Sequence, residues 1–432
     1  MKVSIALLAG AVALAPPVMA ANGHPMHDRH QMAMPAMAMP DAHMHMHGVL
    51  GRYPMSREAS GTSWQPQSTP MAGIMGRYGD WTTMLHGYVY QVYDHQGGPR
   101  GADKNFAESM FMGMAQRPLG EGTLGLRAMV SLDPLMGKSG YPLLLQTGET
   151  ADGEHPLIDR QHPHDLLMEL SATYSLPFGD NASGFVYAGL PGEPALGPPT
   201  FMHRVSGMDS PEAPITHHWL DATHITFGVV TLGYIVGEFK FEASAFNGRE
   251  PDPFRWNIDT PQLDSSSARV TWNPAANWSA QISYGYLRSP EALEPDVDQH
   301  RTTASVMYNR PFGDNDNWAT TVAWGRNDYS TGITSDGWLI ESEVVLDRQQ
   351  TMFARLEQVE APELFGHHHP LAGRTFDVSK LSVGYIYDIP VYAHLKFGVG
   401  GLVSFYDLPG AIQPAYGGSP HSYMLFARFT IE

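Results

Sequence analysis

The strongest structural signal in the chain is the alternation in residues 278–286, which read WSAQISYGY. An apolar or aromatic side chain stands at every second position, and Ser, Gln or Gly stands between them. A period of two places alternate side chains on opposite faces of a β-strand. The segment therefore predicts a strand with one apolar face and one polar face.

The same alternation recurs in sixteen segments of the chain, each long enough to be a tilted membrane-spanning strand of about 9–11 residues. The segments fall at 81–94, 106–117, 121–132, 165–177, 182–190, 223–236, 238–247, 265–273, 277–287, 301–310, 316–326, 337–347, 350–360, 378–389, 393–405 and 420–431. The positions that alternate with the apolar ones include both acidic and basic residues, which predicts ion pairs inside a barrel. These positions are Arg127, Glu169, Lys240, Glu242, Arg269, Glu341, Glu343, Arg355, Glu357, Lys396 and Arg428.

The connections between these segments alternate between long and short. Residues 133–164 and 191–222 are long connections, whereas Leu119-Gly120 and 347–349 are short. An even strand number with short turns on one side and long loops on the other is typical of an outer-membrane barrel. A soluble sandwich or propeller also uses short strands, but nothing in those folds requires this alternation. We therefore predict an all-β transmembrane antiparallel β-barrel of about 16 strands, wide enough for a channel unless loops or a tail fill it.

Composition excludes several classes of protein. The 432 residues carry 26 Lys+Arg and 44 Asp+Glu, a net charge of −18, and no cysteine. The acidic balance argues against a nucleic-acid partner, which needs a basic surface. The absence of cysteine excludes disulfides, iron–sulfur clusters and thiolate sites. The imidazoles of 21 His and the thioethers of 24 Met remain as soft ligands.

The N-terminus reads as an export signal. Lys2 precedes an apolar core at 5–15, and Val18-Met19-Ala20 ends in a small residue suited to cleavage. The predicted organisation is a signal peptide at 1–20, a disordered Met/His-rich periplasmic tail at 21–80 and a barrel at 81–432. The expected location is the bacterial outer membrane, with outer-membrane lipid as a partner.

Residues 21–48 are dense in potential metal ligands. Thioethers prefer Cu(I), and imidazole also accepts Cu(II) and Zn(II). We therefore predict a copper-binding tail, with Cu(I) favoured. The alternative is a disordered leader whose Met- and His-rich composition has no function. The predicted ligands are His24, Met26, His27, His30, Met32, Met34, Met37, Met39, His43, Met44, His45, Met46 and His47.

Two long connections carry a second set of histidines. His162 and His164 are separated by one proline, so they face the same side of an extended chain. His217, His218 and His224 lie in the next long connection and are further potential ligands. A purely architectural role, in which His and Asp bond each other and the backbone, is an equally good interpretation. The Pro- and Gly-rich stretch 189–204 predicts a loop that packs inside the barrel mouth.

The Met/His-rich leader ahead of a barrel resembles the copper resistance protein B type of outer-membrane protein. Three loop motifs, at 159–165, 213–221 and 248–252, resemble those of uncharacterised proteobacterial barrel proteins. The expected function is binding of copper or a similar soft metal ion for metal tolerance or transport. Metal ions and a periplasmic metal carrier are the expected partners.

Two other functions remain open. The first is a general, porin-like solute channel with an incidental tail. The second, a lipid-active enzyme, is a minor alternative, because a hydrolase needs Ser, His and an orienting group in contact. The sequence contains no G-x-S-x-G elbow, so we predict that the protein is not an enzyme.

Overall fold

The wall of the molecule is a closed barrel of sixteen antiparallel strands. The computed structural model describes residues 47–366 and 368–432. Its strands are β1 (Ile74–Tyr78), β2 (Trp81–Gln96), β3 (Asp103–Leu119), β4 (Gly122–Val130), β5 (Tyr141–Thr150), β6 (Pro156–Gln161), β7 (Leu167–Pro177), β8 (Ala182–Gly189), β9 (Val229–Val236), β10 (Phe239–Phe246), β11 (Ser265–Ala275), β12 (Trp278–Leu287), β13 (Gln299–Phe312), β14 (Asp316–Tyr329), β15 (Thr334–Leu346), β16 (Gln350–Ala361), β17 (Phe376–Tyr392), β18 (Leu395–Asp407) and β19 (His421–Ile431).

The barrel closes where β19 pairs with β2, from Ser422 opposite Gln96 to Ile431 opposite Gly87. Three strands stand outside the wall: β5 and β6 pair only with each other, and β1 forms a hairpin with the start of β2. The predicted fold class and strand number are confirmed. One predicted strand, 223–236, was wrong at its start, because 222–224 form a 3-10 turn and β9 begins at Val229.

Short helical turns interrupt the connections. Single-turn α-helices are α1 (His217–Leu220) and α2 (Gln413–Tyr416); 3-10 turns occupy Met55–Arg57, Asp133–Met136, Phe201–His203 and Ala222–His224. No helix in the described ranges is long and apolar enough to cross a membrane.

The wall strands are apolar outside and polar inside. On β12, Ile282 and Tyr284 are 58% and 52% exposed, whereas Ser279 and Ser283 are buried. This inverts the arrangement of a soluble protein, because lipid hydrocarbon, not water, faces the outer surface. The predicted interior ion pairs form: Arg269 Nε lies 3.0 Å from Glu242 Oε2. Three of the predicted positions differ: Lys396 pairs with Glu432 at the end of its strand, and Glu343 and Glu357 form no ion pair within the described residues.

The lumen of the described barrel is packed. Inward-facing polar side chains on several strands are shielded from solvent, among them Lys240, Thr303, Thr321, Glu357 and Lys380. In a water-filled lumen such side chains would be exposed to solvent. Three segments fill the space: residues 47–69, which we call the plug segment; residues 190–228, the inner loop; and residues 131–166, the outer hairpin, which carries β5 and β6.

The plug segment corrects the sequence prediction that 21–80 form a disordered tail. Residues 47–80 are folded, and Trp64 is 2% exposed. Arg127 Nη1 donates to the Gly61 carbonyl at 2.9 Å, and Arg269 Nη2 donates to Thr62 Oγ1 at 3.1 Å. The Met/His-rich composition that predicts disorder belongs to residues 21–48, whereas the apolar side chains that pack against the wall begin at Val49. Residues 1–46, with the signal and most of the leader, lie outside the described residues.

The inner loop is tied to the wall by buried charges. Arg204 lies 3.0 Å from Asp221 in the same loop and also contacts Glu341 of β15. Glu212 pairs with Lys380 of β17 at 2.7 Å. Buried charges are tolerated only when they are paired, so these contacts fix the position of the inner loop in the lumen. The prediction that 189–204 pack inside the barrel is confirmed.

Candidate functional site

Five predicted histidines meet inside the barrel. The outer hairpin brings His162 and His164, and the inner loop brings His217, His218 and His224. Successive ring centroids lie 6.0 Å apart (162 to 218), 5.6 Å (218 to 217), 5.1 Å (217 to 224) and 5.3 Å (224 to 164). We call this group the imidazole cluster. The cluster lies between the outer hairpin and the inner loop, the two neighbouring long connections whose histidines were predicted as potential ligands.

Three of these rings are held through Nδ1. His217 Nδ1 lies 2.7 Å from Asp221 Oδ1, and His164 Nδ1 lies 2.8 Å from Asp133 Oδ2. His224 Nδ1 lies 3.0 Å from the carbonyl oxygen of Asp221. A neutral imidazole that donates from Nδ1 keeps the lone pair on Nε2. The same arrangement, with a carboxylate or carbonyl behind the ring, orients histidines that bind metals.

Four Nε2 atoms of the cluster are buried without a hydrogen-bond partner among the described residues: those of His164, His217, His218 and His224. A buried polar atom left unpaired costs about 1–3 kcal/mol. Such atoms are rare in folded proteins, and each asks for an explanation. Four in one place point to a bound ion or to ordered water as their partner.

The cluster is electrically suited to a cation. Burial lowers the pKa values of His162, His217 and His224 well below that of an ordinary imidazole, and the neighbouring rings lower them further. These three rings are therefore neutral at neutral pH, which is the state that binds metal. A small cavity adjoins the cluster; His162, His164, Phe201 and Met202 contribute to its lining.

A second group of ligand atoms lies beside the cluster. His218, Glu250 and Glu291 bring three potential ligand atoms within 4.8 Å of one another. The Nε2 atoms of His164, His217 and His224 do not all approach one another this closely, so an ion bound there requires the rings to close in. Asp133 was missed by sequence reasoning and carried no signal in the sequence. Glu250 was also missed, although it lies in the motif at 248–252.

Most of the predicted leader ligands, from His24 to Met46, lie outside the described residues. His47 is described at the end of the barrel that carries the short turns, which we call the short-turn end. Its carbonyl oxygen accepts a hydrogen bond from Gln116 Nε2 at 3.0 Å. The structure therefore brings together the predicted loop histidines and leaves the leader untested.

No known protein family and no curated protein matches the sequence. Among solved structures, the chain is similar to OmpF of Salmonella typhi, solved in complex with daunomycin, with a TM-score of 0.52 and 10% identity over 83% of this chain and 100% of that chain. It is also similar to OprB of Pseudomonas putida, with a TM-score of 0.50 and 10% identity over 82% of this chain and 94% of that chain. At such low identity the likeness shows the fold alone. The protein is a bacterial outer-membrane β-barrel.

Proposed function

We propose that this barrel binds copper, or a similar transition-metal ion, on the imidazole cluster in its lumen, for metal tolerance or transport. The observation that carries the proposal is the set of four buried Nε2 atoms without a protein partner, on rings of which three are held at Nδ1. Imidazole binds copper, zinc, nickel and iron, and copper(II) forms the most stable complexes in the divalent series.

The packed lumen supports selective passage over free diffusion. An ion that crosses must exchange between side chains of the inner loop, the wall and the plug segment. The Met/His-rich leader, which precedes the plug segment in sequence, would supply further soft ligands. A periplasmic metal carrier would then deliver or receive the ion at the short-turn end, the periplasmic end in barrels of this kind. The proposed role is not catalytic.

The test is metal content by mass spectrometry after equilibration of the purified full chain with Cu(I), Cu(II), Ag(I) or Zn(II). A triple variant, His164→Gln with His217→Gln and His224→Gln, should bind about one Cu(II) or Zn(II) fewer. The matched control is His155→Gln, an exposed histidine of the outer hairpin bonded to Asp152. Equal metal content in all three proteins would overturn the proposal. A further variant without residues 21–46 measures the leader separately and leaves the plug segment in place.

The second candidate function is a general solute channel. The likeness to the porins OmpF and OprB favours it, although that likeness extends only to the fold. A channel requires the plug segment or the inner loop to leave the lumen. Planar-bilayer conductance that is large, steady and insensitive to copper would support this candidate. Low conductance in the intact protein is the result expected from the packed lumen.

A further inference from the structure

One sector of the lumen wall is lined by sulfur. Strands β2, β3 and β4 point methionines and one histidine inward, whereas much of the remaining wall presents hydroxyls and ion pairs. The strand register sets His86 opposite Met112 and Met112 opposite Met129. Side chains opposite each other on one face of a sheet stand about 4.5–5.5 Å apart at Cβ. These three side chains therefore form one row across three strands.

The inner loop adds a fourth ligand to this row. His203 Nε2 lies 3.3 Å from Met129 Sδ, and the His203 ring centroid lies 6.0 Å from that of His86. His203 is not paired with a carboxylate in the described structure, unlike His164 and His217 of the imidazole cluster. Its side chain is directed at the sulfur-lined wall and not at the cluster.

The two thioethers of this set are buried, and the two imidazoles are half-buried. Met112 and Met129 are 4% and 3% exposed. Burial lowers the pKa of His203 well below that of an ordinary imidazole, with His86 and Arg127 adding to the effect. Arg127 itself is balanced, since it lies 3.6 Å from Glu169 and donates to the Gly61 carbonyl. The set therefore offers two imidazole nitrogens and two thioether sulfurs with no net charge of its own.

We propose that His86, Met112, Met129 and His203 form a second metal site, which takes a soft monovalent cation such as Cu(I) or Ag(I). Thioether sulfur selects Cu(I) over harder ions. The cost of burying an ion rises with the square of its charge, and this site supplies no carboxylate to offset it, so a monovalent ion is favoured. The inference relies on the proposed function only in that the ion arrives through the same lumen.

The site continues toward the short-turn end. One register row nearer that end, Met84 lies opposite Met114. Both line a small cavity together with Met55 of the plug segment. Thioethers thus extend from the proposed site to the plug. A soft ion that leaves the site meets further ligands of the same chemistry in that direction.

The competing explanation is that these methionines only fill space, which Met does well in irregular cores. Substitution of Met by Leu separates the two explanations, because it keeps an apolar side chain of similar volume and usually costs less than about 1.5 kcal/mol. The test variant is Met112→Leu with Met129→Leu in the full chain. The matched control is Met307→Leu on β13, a buried methionine that packs with Val205 and Ala319.

The measurement is native mass spectrometry of the full chain in detergent with Ag(I), which counts bound ions one by one while the leader contributes equally to every variant. The double variant should carry one Ag(I) fewer than the parent, and the Met307→Leu control should match the parent. X-ray absorption of the bound ion should lose sulfur scattering in the same variant. Unchanged Ag(I) counts in a double variant that still folds, as judged by heat-modifiable mobility, would overturn the proposal; His86→Gln provides a second variant if it does not fold.

The same samples keep this site distinct from the imidazole cluster. Zn(II) content should be unchanged in Met112→Leu with Met129→Leu, and it should fall in the triple histidine variant. Loss of Ag(I) in the methionine variant, with equal Cu(II) and Zn(II) content in the parent and the triple histidine variant, would remove the imidazole cluster and retain the present site. The reverse pattern would retain the cluster and remove this site.

Discussion

Neutralising Glu341 should release the inner loop from the barrel wall. Its carboxylate is 1% exposed and receives Arg204 of the inner loop, Ser206 Oγ at 2.9 Å and Arg355 Nε at 3.2 Å. In Glu341→Gln the guanidinium groups of Arg204 and Arg355 remain buried but lose the carboxylate that they share. Removing one partner of a buried ion pair costs about 3–5 kcal/mol. Because Arg204 keeps its contact with Asp221, the lower end of that range is expected.

About 3 kcal/mol corresponds to roughly a hundredfold change in the ratio of seated to released loop, since 1.4 kcal/mol is about a factor of ten. Amide hydrogen exchange measures this opening directly. Peptides from 201–216 should exchange about a hundredfold faster in Glu341→Gln, whereas peptides from 277–310 of the wall should not change. Planar-bilayer conductance should rise in the same variant.

The control for this prediction is Glu360→Gln, which removes an equal charge from a half-buried position on β16. Its carboxylate accepts one hydrogen bond, from the Asp336 amide at 3.0 Å, and within the described part of the chain it has no hydrogen bond to the inner loop. This variant should leave the exchange of 201–216 unchanged. If the inner loop in Glu341→Gln exchanged at the wild-type rate, the buried ion pairs would not be the interactions that hold the loop in the lumen.

Four further results are expected. Because burial lowers the pKa values of His162, His217 and His224, bound Zn(II) should persist to about pH 6 and be lost in more acidic buffer; loss that begins above pH 7, measured by metal content, would contradict this. Below about pH 6.5 the unfolded chain binds more protons at these three histidines than the folded chain does, so their contribution to the free energy of unfolding should fall as pH decreases below that value, read as a lower unfolding temperature. Asp221→Asn, which removes the carboxylate behind His217, should weaken Cu(II) binding about 10–100-fold in a competition titration. Trp64→Ala should destabilise the plug segment by about 3–5 kcal/mol, read as faster trypsin cleavage after Arg57; an unchanged cleavage rate would show that the plug is held by its polar contacts alone.

The wall of this protein could be predicted from sequence because a strand carries its own pattern. In residues 278–286 successive side chains point alternately to lipid and to the lumen, and this pattern can be recognised without the rest of the chain. The same parity placed Arg269 and Glu242 inside, where they pair. Strand ends were less certain, since the start of β9 depends on how the inner loop folds into the barrel.

The site was predicted only in part. Residue type and spacing identified the five histidines as potential ligands from two neighbouring loops, but not the order or the distances of their rings; these are His162, His164, His217, His218 and His224. The sequence lacked any signal for a row that joins His86 to Met112 and Met129, because those residues meet only through strand register.

The sequence by itself determined the barrel, its strand number and the polar character of its interior, since period-two alternation is a local property. Only the tertiary structure decided that residues 47–69 and 190–228 occupy the lumen and that histidines from two loops meet there. The contacts between Arg204 and Glu341, 137 residues apart, depend on the closed wall that positions both partners. Contacts over such separations arise from burial and charge pairing in three dimensions, and no short stretch of sequence encodes them.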